Sequence, residues 1–63
     1  MNFMYFFNGV QVTRFQAALM LSNFYCGDPE YLMVTVETEA REYLVSTGEV
    51  TYFDRSGVAL SWA

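Results

Sequence analysis

Glu37, Glu39 and Glu42 stand close together and are the first residues to test for chemistry. Paired carboxylates hydrolyse glycosides when two of them face each other across a cleft. These three lie beside one another on a single segment, which suits acids at a helix start on a solvated face. A calcium site drawn from Asp28, Glu30, Glu37 and Glu39 lacks the alternating Asp/Asn loop that such sites use. Ser22, Ser46, Ser56 and Ser61 have no activating partner, because the chain contains neither histidine nor lysine. Cys26 falls at the C-terminal end of an expected helix, where the dipole disfavours a thiolate. It is expected to pack beside Phe15 and Leu19, with a disulfide across a dimer axis as the alternative. Gly9, Gly27, Gly48 and Gly57 are isolated and form no phosphate loop. The residues therefore predict no catalytic centre, no metal site and no cofactor. A metal-assisted hydrolase built on Glu37–Glu42 is the weakest of the functional readings.

What remains is contact. Seven carboxylates against three arginines give a net charge of −4, and 54% of the 63 residues are hydrophobic. Arg14, Arg41 and Arg55 are scattered, so direct nucleic-acid binding is not expected. A partner with a basic surface is expected instead. Asp28, Glu30, Glu37, Glu39, Glu42, Glu49 and Asp54 would form the face that meets it. The longest apolar runs are far short of the ~20 residues of a membrane span. No positive residue precedes the apolar N-terminal stretch and there is only one cysteine, so the expected location is the cytoplasm.

The elements that would position these residues form one domain over 1–63. Phe3 to Phe7 reads as a strand, and Asn8-Gly9 is a hairpin signal that lets Val10 to Val12 pair back. Alternatively, Asn8-Gly9 is only a bend into the next helix. Thr13-Arg14-Phe15-Gln16 matches a capping box, with Val12 and Ala17 placed as a hydrophobic staple. A main helix follows to Tyr25, ended by Gly27 and Asp28-Pro29. Tyr31 to Glu37 alternates as a half-buried strand, with Leu32, Val34 and Val36 on one side. Residues 38–46 read either as a short helix carrying an i,i+4 Glu37–Arg41 pair or as half of a hairpin around Thr47-Gly48. The helix is preferred, because Glu39-Ala40 makes a poor turn. Val50 to Phe53 and Val58 to Trp62 flank Asp54-Arg55-Ser56-Gly57 as a terminal hairpin. The fold class is α+β: a small antiparallel sheet of three to four strands, the main helix on one face and a short second helix.

The main helix carries two apolar stripes. Phe15, Leu19 and Cys26 form one, and Ala17, Met20, Leu21 and Phe24 the other. Two stripes ask for two neighbours, and a chain of this length has no disulfide or zinc to stabilise its core. A homodimer is therefore expected. Ala17, Met20, Leu21 and Phe24 would form its interface, joined by Tyr31, Tyr52 and Trp62 near strand ends. In size, acidity and lack of catalytic groups the chain is similar in general character to phage-encoded anti-defence proteins, including anti-CRISPR inhibitors. That likeness implies a non-enzymatic inhibitor or modulator docking on a basic nucleic-acid-handling host protein. A structural or regulatory homo-oligomeric subunit, such as a small virion protein, is the alternative.

Overall fold

The computed structural model describes residues 2–63. Its elements are β1 (Phe3–Phe7), β2 (Val10–Val12), α1 (Arg14–Tyr25), α2 (Pro29–Thr47), β3 (Thr51–Phe53) and β4 (Val58–Trp62). The four strands form one antiparallel sheet in the order β2-β1-β4-β3, so the first and last strands pair at its centre. The fold is α+β, with two helices packed on one face of the sheet.

Local chemistry accounts for the turns. Asn8 and Gly9 both have positive φ, 49° and 85°, as a two-residue primed turn requires, and the hairpin forms. In the β3–β4 turn Asp54 accepts from the Ser56 amide at 2.9 Å, and Gly57 sits at φ 99°. A Cβ on Gly57 would come within 2.7 Å of Asn8 Oδ1, so the two hairpin turns abut. Thr13 caps α1 through the full capping box.

The segment after α1 departs from the sequence expectation. Residues 31–37 are not a strand, and 38–46 are not a separate helix; both belong to the 19-residue α2. The chain order is thus strand, strand, helix, helix, strand, strand. Asp28-Pro29, expected only to stop α1, also starts α2. Asp28 accepts from the Tyr31 amide at 2.9 Å, and Pro29 occupies the first turn, where its missing N–H costs nothing. The β-branched residues that suggest a strand are accommodated: Thr35 and Thr38 donate back to the carbonyls of Tyr31 and Val34. Met33, Val36, Ala40 and Leu44 recur at helical spacing and fill the core with Ala17, Ala18, Leu21, Val58 and Leu60. Burying that stripe outweighs the local strand propensity.

The α1 C-cap differs as well. Cys26, not Gly27, takes the left-handed conformation, at φ 58°. Gly27 has a different role: it lets Leu32 pack close, and a Cβ there would meet Leu32 Cδ1 at 3.2 Å and push it back by a few tenths of an ångström.

Candidate functional site

The one buried carboxylate is Glu37, whose side chain is 11% exposed. It lies on the inner face of α2 with Met33, Val36, Ala40 and Leu44. The expected Glu37–Arg41 pair does not form. Arg14, the first residue of α1, donates instead from Nε to Glu37 Oε2 at 2.8 Å and from Nη2 to Oε1 at 3.2 Å. The same guanidinium grips Glu30 in fork geometry at 2.9 and 3.0 Å. Tyr5 on β1 donates its hydroxyl to Glu37 Oε2 at 2.5 Å. One residue from β1, one from α1 and two from α2 are therefore tied at a single point. No buried side-chain polar atom among the described residues lacks a partner.

These contacts set the electrostatics. Burial pushes the Glu37 carboxyl upward, but the hydrogen bonds from Arg14 and Tyr5 prevail and leave it below the usual carboxylate range. Arg14 lowers Glu30 in the same way. Arg14 itself is driven further from deprotonation by its bonds to Glu37 and Glu30. Burial first and Glu37 second push Tyr5 up to about 12. A general acid or base works best with a pKa near the working pH. Here the carboxylate becomes a weaker base and the phenol a weaker acid. The cluster is built to hold elements together and is poorly suited to moving protons.

An open cleft of about 500 Å³ adjoins the cluster, lined by Asn2, Phe3, Tyr5, Arg14, Glu37 and Arg41. The Arg41 guanidinium lies 5.4 Å from the centroid of the Phe3 ring, and Trp62 stacks on that ring at 5.0 Å. Among the described residues, no group of three or more His, Cys, Asp or Glu could hold a metal ion. No helix there is long and apolar enough to cross a membrane.

The seven carboxylates expected to share one face are divided. Glu30 and Glu37 share the single guanidinium of Arg14. Asp28 is the N-cap of α2, and Asp54 accepts from the Tyr25 hydroxyl at 2.9 Å beside the β3–β4 turn. Glu39, Glu42 and Glu49 are exposed, and Glu39 has only a 3.4 Å contact from the Tyr52 hydroxyl.

The expected oligomer interface also changes. Ala17 and Leu21 are fully buried within the molecule's own core, and Met20 packs against them, so this stripe already faces the sheet and α2. Tyr52 packs on the same core, and Trp62 is held by Phe3. Of that set, only Phe24 and Tyr31 are exposed. The opposite stripe is the open one: Phe15 is 70% exposed, and Leu19 and Cys26 are exposed with it. Cys26 is a free thiol at the surface, not a packed hydrophobe.

Sequence reasoning missed the Tyr5–Glu37–Arg14 contact. Its signal lay in phase: in a helix running from Pro29, Glu37 falls among Met33, Val36, Ala40 and Leu44 and must find a cation. Comparison with protein families, curated proteins and solved structures finds no match to this chain.

Proposed function

We propose that the chain is a non-enzymatic protein-binding module that docks on a basic surface of a nucleic-acid-handling protein, as a small inhibitor or modulator would. The outer face of α2 carries this reading. Glu39 and Glu42 project away from the buried stripe of that helix, between exposed Tyr31 and Tyr43, and Glu49 follows just past its cap. None of the three has an ion-pair partner among the described residues: Arg14 is held by Glu30 and Glu37, and neither Arg41 nor Arg55 lies within ion-pair distance of a carboxylate. Tyrosine beside carboxylate suits a surface that must be rigid, partly apolar and attractive to Arg and Lys. Three carboxylates over roughly 15 Å of helix fall far below the charge density of a duplex, one per ~1.7 Å. Blocking a site therefore fits better than imitating nucleic acid.

The test is affinity capture of a host partner by the wild-type chain and by an E39K/E42K variant, each at low and high salt. Capture that weakens at least about tenfold on charge reversal, and weakens with salt, supports the reading. Capture indifferent to both changes refutes it. A homo-oligomeric subunit is the second reading, favoured by a separate observation: none of the charged residues lies in a strand.

A further inference from the structure

The sheet has two faces and the helices cover only one. The strand sequences are FMYFF, VQV, TYF and VALSW. Phe3, Tyr5, Phe7, Val12, Tyr52, Val58 and Leu60 face the helical layer and pack into the core. Alternation puts Met4, Phe6, Gln11, Thr51, Phe53, Ala59 and Ser61 on the other side. The register aligns them in two rows across the sheet: Gln11, Phe6, Ala59, Phe53 in one, and Met4, Ser61, Thr51 in the other. An antiparallel sheet with one wet face normally reads polar on that face, and exposed edges are usually guarded by charge. Here the two central strands present Met4, Phe6, Ala59 and Ser61, with Phe53 on the edge 77% exposed. Ala59 is 6% exposed although no helix covers it, because it floors a trough between Phe6 and Phe53.

All three arginines and all seven carboxylates lie in the helices or in the loops that join elements. This placement decides what can approach the face. Two chains of charge −4 repel where the outer faces of their α2 helices meet, because Glu39 and Glu42 would be brought together. Meeting sheet to sheet, they present no charge to each other. Each set of charged helices stays on the far side of a sheet, about 10 Å back, near the screening length at physiological salt. The row of large, small and large side chains suits self-packing, since a phenylalanine ridge of one copy fits over the Ala59–Ser61 trough of the other. Single-stranded nucleic acid also stacks on sheet aromatics, but such platforms interleave basic residues, and this face has none.

We propose that the uncharged outer face of the sheet, centred on Phe6, Ala59 and Phe53, is where a second copy of the chain packs to close a two-sheet sandwich. Two five-residue strands of about 17 Å and two three-residue strands of about 10 Å, about 4.8 Å apart, give a footprint of roughly 260 Å² per copy. A standard stable interface covers about 800 Å² per partner, so this dimer is weak and reversible. The contact is independent of the outer face of α2, and its failure leaves the docking proposal untouched.

Sedimentation velocity of the full chain from about 10 μM to 1 mM tests it, a range suited to an interface below standard size. The expected result is a concentration-dependent dimer. Phe53→Glu, on an exposed edge strand, should weaken association at least about tenfold by burying a charge. Phe15→Glu, on the open flank of α1, should leave it unchanged. Mixing Phe53→Glu with Phe53→Lys should restore association, and circular dichroism of each variant checks the fold. A chain that stays monomeric at 1 mM overturns the proposal. So does an association abolished by Phe15→Glu but not by Phe53→Glu. Binding of a single-stranded oligonucleotide that is lost in Phe53→Glu, without self-association, overturns it in favour of a nucleic-acid platform.

Discussion

Tyr5 and Glu37 share one short contact between β1 and α2, and their titrations move in opposite directions. Glu37 ionises below its ordinary value when folded. Its contribution is therefore present above the unfolded value of about 4.3 and is lost as pH falls through the folded one. Tyr5 is raised from 10.0 to about 12, so its contribution is intact below pH 10 and disappears as pH climbs from 10 toward 12. Burial raises Tyr25 and Tyr52 too, which adds to the alkaline limb. Urea midpoints followed by Trp62 fluorescence should be level from about pH 5 to 9.5 and fall on both sides. Glu37→Gln should lower the plateau and flatten the acid limb. Tyr5→Phe should shrink the alkaline limb without removing it. An alkaline limb unchanged in Tyr5→Phe would show that burial beside Glu37 does not hold the phenol neutral.

The two helices depend on a three-residue joint, Cys26-Gly27-Asp28, in which each residue has a separate task. Cys26 takes the left-handed cap, Gly27 lets Leu32 close in, and Asp28 caps α2. Asp28→Ala should cost about 1 kcal/mol, as removal of an N-cap side chain usually does. The loss reads as a lower urea midpoint with an unchanged slope; an unchanged midpoint would mean that Pro29 alone fixes the start of α2. Elements with their own terminal chemistry were readable from sequence: Asn8-Gly9 for the first hairpin, the Thr13–Gln16 box for α1, and Asp54 with Gly57 for the last turn. The centre of the chain was not. Leu32, Val34 and Val36 alternate like a strand, and β-branched residues are dense there. The helical spacing of Met33, Val36, Ala40 and Leu44 appears only once Asp28-Pro29 is taken as a beginning as well as an end. That single misreading hid the buried site, because it placed Glu37 at the edge of a strand and left Arg14 without a partner. It also inverted α1: with α2 beside it, the Ala17–Leu21 stripe packs inward and Phe15 and Leu19 are left outside.

The accessible surface is 4025 Å², close to the ~4200 Å² of a compact monomer of 7.3 kDa. The chain therefore closes its own core, and a second copy on the sheet adds to a finished fold. Closure depends on the pairing of β1 with β4, which brings Phe3 opposite Trp62 and leaves the Ala63 amide donating to the Asn2 carbonyl at 3.1 Å. Folding thus requires Phe3–Phe7 to meet Val58–Trp62, a pairing between strands about 50 residues apart. Joining the chain ends through a short flexible linker would remove that search from the unfolded ensemble while leaving the native strands in register. For a closed loop of this length the entropy saved approaches about 4 kcal/mol, and linker strain with residual unfolded structure reduces it to about 2–4 kcal/mol. A cyclised chain should accordingly show a raised urea midpoint and faster refolding, with the helical circular dichroism unchanged. A midpoint equal to that of the linear chain would mean that the β1–β4 pair does not hold the ends together in solution.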